Sequence, residues 1–243
     1  MGYHRAGFEV VGVDINPQPR YPFEFIQSDA LKFLNNHLTL ERHNLAIQER
    51  FDVIHASPPC QRYARIGAVH GVRGNHPDLI DATRALLIES GYAWVIENVP
   101  DSKIPGVTLC GSMFGLKATG ALDGIERQLR RHRLFESNVP LLVPRCQHRG
   151  EPIGVYGNGG PQRDSRNRGY MGGKKERLDA MGITWMDVRE LSNAIPPAYT
   201  EFIGAALMSS LRPRSAQQSC PAGPAALPPG SPSVPARPSR GRP

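Results

Sequence analysis

The stretch FDVIHASPPCQ, residues 51–61, gives the strongest indication of the fold. Its first six residues form a short, largely apolar run that predicts a buried β-strand. Pro58 and Pro59 end this strand abruptly, because proline fixes its own backbone and cannot donate to a strand ladder. Cys60 follows at once, so its thiol is expected to stand on a stiff turn at the carboxyl end of the strand.

Segments on both sides of this stretch repeat a pattern in which apolar strands alternate with helices. They are, in chain order, Glu9–Ile15 (strand), Gln27–Leu34 (strand end and helix start), Asp78–Ser90 (helix) and Ala93–Ile96 (strand). This alternation predicts an α/β fold with a parallel sheet. Functional groups of such sheets gather at the carboxyl ends of the strands. Asp14, Cys60 and Glu97 all fall at such ends.

Composition divides the rest of the chain. Residues 138–175 are rich in Gly, Pro, Arg and Asn, which predicts a small loop-rich lobe. Helical spacing returns in residues 176–211, and Tyr199–Leu211 fits a packed helix. Residues 212–243 contain almost no large apolar side chain, so we expect a disordered tail.

The net charge of +7 is unevenly distributed. The tail contributes +5 and the segment Arg127–Arg177 contributes +8, so the rest of the chain carries a net charge of −6. A concentrated basic segment on an acidic body favours contact with nucleic acid, while a solvated arginine-rich loop is the alternative.

The sequence predicts neither export nor a membrane span. No apolar run approaches about 18 residues, and the N-terminus lacks the pattern of a signal peptide. The four cysteines, Cys60, Cys110, Cys146 and Cys220, lack the paired spacing of a disulfide or zinc framework. We therefore expect a cytoplasmic protein without a metal.

Three motifs carry candidate chemistry. Cys60 can act as a nucleophile where its surroundings favour the thiolate, but an inert buried cysteine and a cysteine hydrolase are alternatives. Glu97 ends an apolar strand, where burial would raise its pKa and let it hold a proton, unless it is an exposed loop residue. Arg131 and Arg133 alternate along a predicted strand and would share one face, unless the strand is simply basic and solvated.

Taken together, these motifs resemble the DNA cytosine-5 methyltransferase family. The Pro-Pro-Cys-Gln turn, the Glu-Asn-Val turn and the Arg-x-Arg strand occur in the family's order within residues 1–211. The family's acidic strand end (Asp14), Ser28-Asp29-Ala30 and a late Asn193-Ala194-Ile195-Pro196-Pro197 are also present. The resemblance implies a Rossmann-like S-adenosylmethionine-dependent methyltransferase sheet with a small loop-rich target-recognition lobe. Residues 1–137 and 176–211 would form the catalytic and cofactor-binding domain, and residues 138–175 the recognition region.

The resemblance also implies a catalytic role for each motif. Cys60 would add to carbon 6 of a cytosine flipped out of double-stranded DNA. Glu97 would hydrogen-bond the ring nitrogen and amino edge of the base. Arg133, with Arg131 nearby, would support the base carbonyl while carbon 5 takes the methyl group of S-adenosylmethionine.

A cofactor site follows from the same resemblance. Asp14 would bind the ribose hydroxyls of S-adenosylmethionine, and Ile15 would pack on its adenine. Asp29, with Ala30 beside it, would hold the adenine amino group. Asn193 would close the pocket from the C-terminal side.

Three departures from the family pattern qualify the resemblance. Leu129 stands where the family has Gln two residues before the first arginine, and the region between Phe135 and Glu176 is short. The family's opening strand and Phe-x-Gly-x-Gly-Gly turn are missing, and residues 1–8 match the helix that follows that turn. We therefore expect that about 15–20 family residues are lacking, that the cofactor binds poorly and that the chain as written has little or no activity.

Two alternatives remain beside this enzyme: a non-catalytic DNA-binding remnant of the family and a tRNA cytosine methyltransferase. The expected setting is prokaryotic or phage-type, with a possible restriction-modification role. The expected assembly is a monomer on double-stranded DNA, without membrane or metal.

Overall fold

A computed structural model describes residues 1–42, 51–59, 78–156, 162–163 and 169–211. Cys60 and the tail from Arg212 therefore lie outside the described residues, so the predicted thiol position and the predicted disorder of residues 212–243 stay predictions. The described helices are α1 (Gly2–Arg5), α2 (Ala30–Arg42), α3 (Ile80–Ser90), α4 (Lys174–Met181), α5 (Val188–Asn193) and α6 (Pro197–Leu211). Short 3₁₀ turns cover Pro100–Ser102 and Gly111–Phe114.

The described strands follow the apolar runs. They are β1 (Val11–Asp14), β2 (Glu24–Gln27), β3 (Val53–Ala56), β4 (Ala93–Asn98), β5 (Val107–Leu109), β6 (Lys117–Thr119), β7 (Glu126–Gln128), β8 (Arg133–Ser137), β9 (Ile153–Gly154), β10 (Gln162–Arg163) and β11 (Tyr170–Met171). Every strand and helix predicted between Glu9 and Ile96 is present, with ends shifted by a few residues.

The main sheet has the strand order β3-β4-β8-β5. Strands β3 and β4 are parallel, whereas β8 is antiparallel to both β4 and β5. The parallel strands β1 and β2 form a separate pair. The parallel pairing predicted for the strands between Glu9 and Ile96 is thus correct for β1–β2 and β3–β4, and the antiparallel strand β8 makes the fold mixed α/β.

Both faces of the main sheet are covered, which explains why β4 is apolar at consecutive positions. Trp94 and Ile96 pack with residues of α2 and α3, including Leu87. Val95 points the other way, into a cluster that includes Ile203 of α6. Strand β4 is therefore a central strand, and its carboxyl end is held rigidly.

A second apolar core lies among the short strands β6, β9 and β11 and the helices α4 and α5. Its fully buried members include Tyr170, Met181 and Leu191, and it extends back to Ala118. The packed region extends beyond the predicted lobe of residues 138–175, because residues of strand β6 and of helices α4 and α5 complete its core.

Among the described helices, none combines the length and apolarity that a membrane span requires.

Candidate functional site

Glu97 lies near the carboxyl end of β4 and is only 7% exposed. In the antiparallel register it faces Phe135 of β8, so Arg133, two residues away on the same strand, is its diagonal neighbour. The Arg133 Nε lies 2.9 Å from the Glu97 Oε1. The strand pairing thus joins two of the predicted catalytic residues in one ion pair.

The net effect of its surroundings is to raise the pKa of Glu97 above the ordinary value of a glutamate. Burial raises the pKa of Glu97, while Arg133, a hydrogen bond with Ser57 and the charge of Arg131 lower the pKa by a smaller total amount. The net direction is the one expected from the sequence. A carboxyl group in this position can share a proton with a bound ligand more readily than an exposed one.

The turn that precedes Cys60 is fastened to the same edge of the sheet. The Asn98 side chain donates from Nδ2 to the carbonyl oxygen of Pro58 at 3.1 Å, and Pro58 is buried. Together with the bond between Ser57 and Glu97, this contact connects the carboxyl ends of β3 and β4. Ser57 and Pro58 therefore lie beside Glu97 and Asn98 at the carboxyl end of β4.

A chain of hydrogen bonds extends from Glu97 toward the N-terminus. The Ser57 Oγ lies 3.2 Å from the His55 Nε2, and the His55 Nδ1 lies 2.6 Å from the Tyr3 hydroxyl. Burial lowers the pKa of His55 to about 4, so its ring is neutral at physiological pH. Burial also raises the pKa of Tyr3, which keeps its proton and can donate it to Nδ1.

This series of hydrogen bonds was not predicted from the sequence. Ser57 follows directly after β3, two residues beyond His55, and this extended spacing was the available signal that the two side chains lie on the same side. The contact with Tyr3 joins residues 52 positions apart and depends on the packing of α1.

Arg131 differs from the expectation. Strand β8 begins at Arg133, so the prediction that both arginines share one strand face is wrong for Arg131. Its guanidinium donates to the carbonyl oxygens of Val155 at 3.1 Å and Ser192 at 2.6 Å. Its own carbonyl accepts a 2.6 Å hydrogen bond from the Tyr199 hydroxyl. Arg131 therefore ties three separate segments together while its charge still acts on Glu97.

The predicted cofactor residues of β1 and β2 lie side by side. The Ser28 amide donates to the carbonyl oxygen of Asp14 at 3.0 Å, which extends the parallel pairing to the strand ends. Asp14 accepts a hydrogen bond from the Asn16 amide at 2.8 Å. Next to it, the side chain of Ile15 is 64% exposed.

Asp29 has a structural role in addition to its predicted one. Its Oδ1 accepts hydrogen bonds from the amides of Leu31 and Lys32, each at 3.0 Å. These bonds cap the N-terminus of α2, whose first residue is Ala30. The carboxylate is thereby held at the end of the β1–β2 pair.

Asn193 is the exposed last residue of α5, a helix that is anchored at both ends. At its N-terminal end Arg20 contacts the Glu190 Oε1 at 2.6 Å and the Asp187 Oδ2 at 3.2 Å. At its C-terminal end the carbonyl of Ser192 accepts the bond from Arg131 noted above. Helix α5 therefore connects the loop between β1 and β2 with the residues around Glu97.

The basic segment Arg127–Arg177 is less exposed than its charge predicted. Arg127 is 2% exposed, pairs with Asp123 and Glu151, and lies over the Tyr170 ring at 4.2 Å. Arg177 is fully buried. These two arginines and Arg131 stabilise the interior, so the expectation that the whole segment forms a polyanion-facing surface is wrong for them. Exposed cations in the described part of the segment are Arg145, Arg149, Lys174 and Lys175.

No protein-family model and no curated protein sequence matches the chain. Among solved structures, the chain is similar to a methyltransferase of Entamoeba histolytica, EhMeth. The two share 13% sequence identity with a TM-score of 0.47, over 87% of this chain and 94% of that chain. This likeness is too distant to carry a functional argument. The proposals below rest on the residues of the chain itself.

Proposed function

We propose that this chain is an S-adenosylmethionine-dependent DNA cytosine-5 methyltransferase with a Rossmann-like sheet. The observation that supports it most is the meeting of three motifs at one sheet edge. Glu97 is paired with Arg133 at 2.9 Å, and it is hydrogen-bonded to Ser57 in the turn that leads to Cys60. Glu97, Arg133 and Ser57 are far apart in sequence. The family's chemistry needs a thiol, a carboxyl group and a guanidinium around one base.

In the proposed reaction the Cys60 thiolate forms a bond to carbon 6 of a flipped cytosine. Glu97, whose pKa is raised, donates a hydrogen bond or a proton to the ring nitrogen. Carbon 5 thereby becomes nucleophilic. Arg133 and the nearby charge of Arg131 stabilise the negative charge that develops on the base carbonyl.

S-adenosylmethionine supplies the electrophilic methyl group, and S-adenosylhomocysteine is the product. Solvent water accepts the proton from carbon 5, and the electron pair left behind forms the 5,6 double bond as the bond between Cys60 and carbon 6 breaks. The proton on the ring nitrogen returns to Glu97, which restores the aromatic ring. The thiolate is regenerated, so no oxidant or reductant is consumed.

We assign the cofactor to the ends of β1 and β2. The carboxylate of Asp14 suits the two ribose hydroxyls, and the exposed side chain of Ile15 offers an apolar surface for adenine. Asp29 caps α2 through Oδ1, and a carboxylate has a second oxygen that can accept from the adenine amino group. Ala30, at the exposed start of α2, and Asn193, on the anchored α5, complete the proposed pocket.

The test uses the full chain with tritiated S-adenosylmethionine and three substrates: unmethylated bacterial DNA, bulk tRNA, and duplex DNA in which 5-fluorocytosine replaces cytosine. At a concentration of S-adenosylmethionine high enough to offset its expected weak binding, the wild-type chain is expected to label DNA at a low rate and to form a denaturant-resistant complex with the fluorinated duplex. Cys60→Ser is expected to lose both, whereas Cys220→Ser, the matched cysteine control in the tail, keeps both.

Three results would overturn the proposal. Labelling of tRNA alone would assign the chain to RNA, and binding of DNA without labelling or trapping would identify a non-catalytic remnant. Activity that survives in Cys60→Ser would exclude the covalent mechanism.

A further inference from the structure

Four potential metal ligands meet beside the end of the β5–β8 pair. They are Cys110, His132, Cys146 and His148, and their ligand atoms all lie within 4.8 Å of one another. The Cys110 Sγ is 3.3 Å from the His148 Nε2, and the Cys146 Sγ is 3.5 Å from the His132 Nε2. Cys110 also interacts with His132, so the two thiols and two imidazoles form one connected cluster.

These separations fit the coordination of zinc. Zn–S bonds of about 2.3 Å and Zn–N bonds of about 2.0–2.1 Å, at tetrahedral angles, place the ligand atoms about 3.3–3.8 Å apart. The two measured sulfur–nitrogen distances fall in this range. Two thiolates with two imidazoles are a typical donor set for a structural zinc ion, whereas magnesium or calcium would need oxygen donors.

Strand pairing explains how two of the ligands come together. Strands β5 and β8 are antiparallel, and Leu109 faces Arg133 in their register. The next residue outward on each strand is a ligand, Cys110 on one side and His132 on the other. The sheet therefore sets this half of the cluster without help from a metal.

The other two ligands come from the segment between β8 and β9. The Gln147 amide, between Cys146 and His148, donates to the Ser112 Oγ at 3.3 Å. The Arg149 amide donates to the Gln128 Oε1 at 2.8 Å. These bonds hold the Cys-x-His turn over the sheet edge, and the Ser112 hydroxyl also donates to the Cys110 Sγ at 3.3 Å.

We propose that Cys110, His132, Cys146 and His148 form a structural zinc site that fastens the segment between β8 and β9 to the main sheet. Residues 144–150, which carry Cys146 and His148, contain no helix or strand and are all exposed. Such a segment buries little apolar surface, so a metal bond contributes much of what holds it. With four protein ligands the ion has no open position, which favours a structural role over a catalytic one.

The site has a consequence for its neighbours. His132 lies between Arg131 and Arg133, so a metal bond to His132 would fix the backbone from which both arginines extend. The inference does not depend on methyl transfer, because the ligands and their geometry stand by themselves. It replaces the sequence-based expectation of a chain without metal.

The test begins with the full chain purified through a tag that contains no histidine. Elemental analysis and native mass spectrometry are expected to find one zinc per chain. After zinc is exchanged for Co(II), the protein should show thiolate-to-metal charge transfer and the visible absorption of tetrahedral cobalt.

Cys146→Ser and His148→Ala are the variants to compare, because both side chains are exposed and neither contributes to the apolar core. Each is expected to lose most of the bound zinc and to weaken the cobalt bands. Cys220→Ser and His4→Ala, which change one residue of each type outside the cluster, are expected to keep the full zinc content.

Three outcomes would overturn the proposal: wild-type chain that has no zinc and takes up no Co(II), undiminished zinc in Cys146→Ser and His148→Ala, or a Cys110–Cys146 disulfide in chain purified under reducing conditions. The first two are read from metal content and the third from peptide mass mapping. The cobalt spectrum of the wild type keeps the test decisive if a variant folds poorly.

Discussion

His55 makes the stability of the chain depend on pH in a way that can be calculated. Burial lowers the pKa of His55 from 6.5 to about 4. Between these two values the unfolded chain binds a proton that the folded chain does not, so unfolding becomes easier as the pH falls. The stabilisation is complete above about pH 6.5 and is lost as the pH falls through the folded pKa.

The size of this effect follows from the same two values. Each pH unit between them changes the free energy of unfolding by about 1.4 kcal/mol, which gives about 3 kcal/mol in total. This is an upper bound, because His55 is only partly buried and water reduces the penalty of charging it. Even half of this loss is a measurable share of the free energy of unfolding of a typical domain, which is roughly 5–15 kcal/mol.

The assay is urea unfolding at intervals between pH 7.5 and pH 4 for the wild type, His55→Gln and His4→Gln. His55→Gln removes the titrating ring, so its free energy of unfolding should fall less steeply with acid than that of the wild type. His4 is exposed on α1, and its replacement should leave the wild-type slope unchanged. Parallel curves for the wild type and His55→Gln would refute the argument.

Two further variants test the contacts around the proposed site. Glu97→Gln should reduce methyl transfer by about 10²–10⁴-fold, since Gln cannot deliver a proton. The control Glu136→Gln breaks the bidentate pair with Arg84 and should lower stability but keep activity. Equal losses of activity in initial-rate assays of the two variants would contradict a special role for Glu97. Tyr199→Phe removes the 2.6 Å hydrogen bond from a fully buried hydroxyl to the carbonyl of Arg131. It should lower the free energy of unfolding in urea by about 1–3 kcal/mol, and no change would mean that water replaces the hydroxyl.

The elements closest to FDVIHASPPCQ were the most predictable. Strands β3 and β4 and helix α3 have strong local patterns, because a strand covered on both faces is apolar at every position and a packed helix repeats its apolar residues every three to four positions. The placement of Glu97 at a strand end was also visible, since the following Val99-Pro100 cannot continue the ladder.

The orientation of β8 and the role of Arg131 were not predictable in the same way. The alternation of Arg131 and Arg133 fits a strand in either direction, and the start of β8 depends on its pairing with β4 and β5. Arg131 instead meets carbonyls from residues 155 and 192. Contacts of that sequence separation leave no periodic signal in the chain.

The charge of residues 127–177 shows the same limit. The composition of the segment predicted that Arg127 and Arg177 are surface cations, but both side chains are buried. An arginine can be buried when carboxylates and an aromatic ring surround it, as Asp123, Glu151 and Tyr170 surround Arg127.

Local sequence patterns were enough to predict where strands end at proline, where helices begin and which chemical groups stand at those ends. Which of these groups meet depends on the tertiary structure. Glu97 meets Arg133 because β4 and β8 are paired. Cys110 meets His132 because the two residues come directly after and directly before the paired residues Leu109 and Arg133 of β5 and β8. Local conformation depends on neighbours a few residues apart, whereas a site with several ligands depends on strand register and on loops that close across tens of residues.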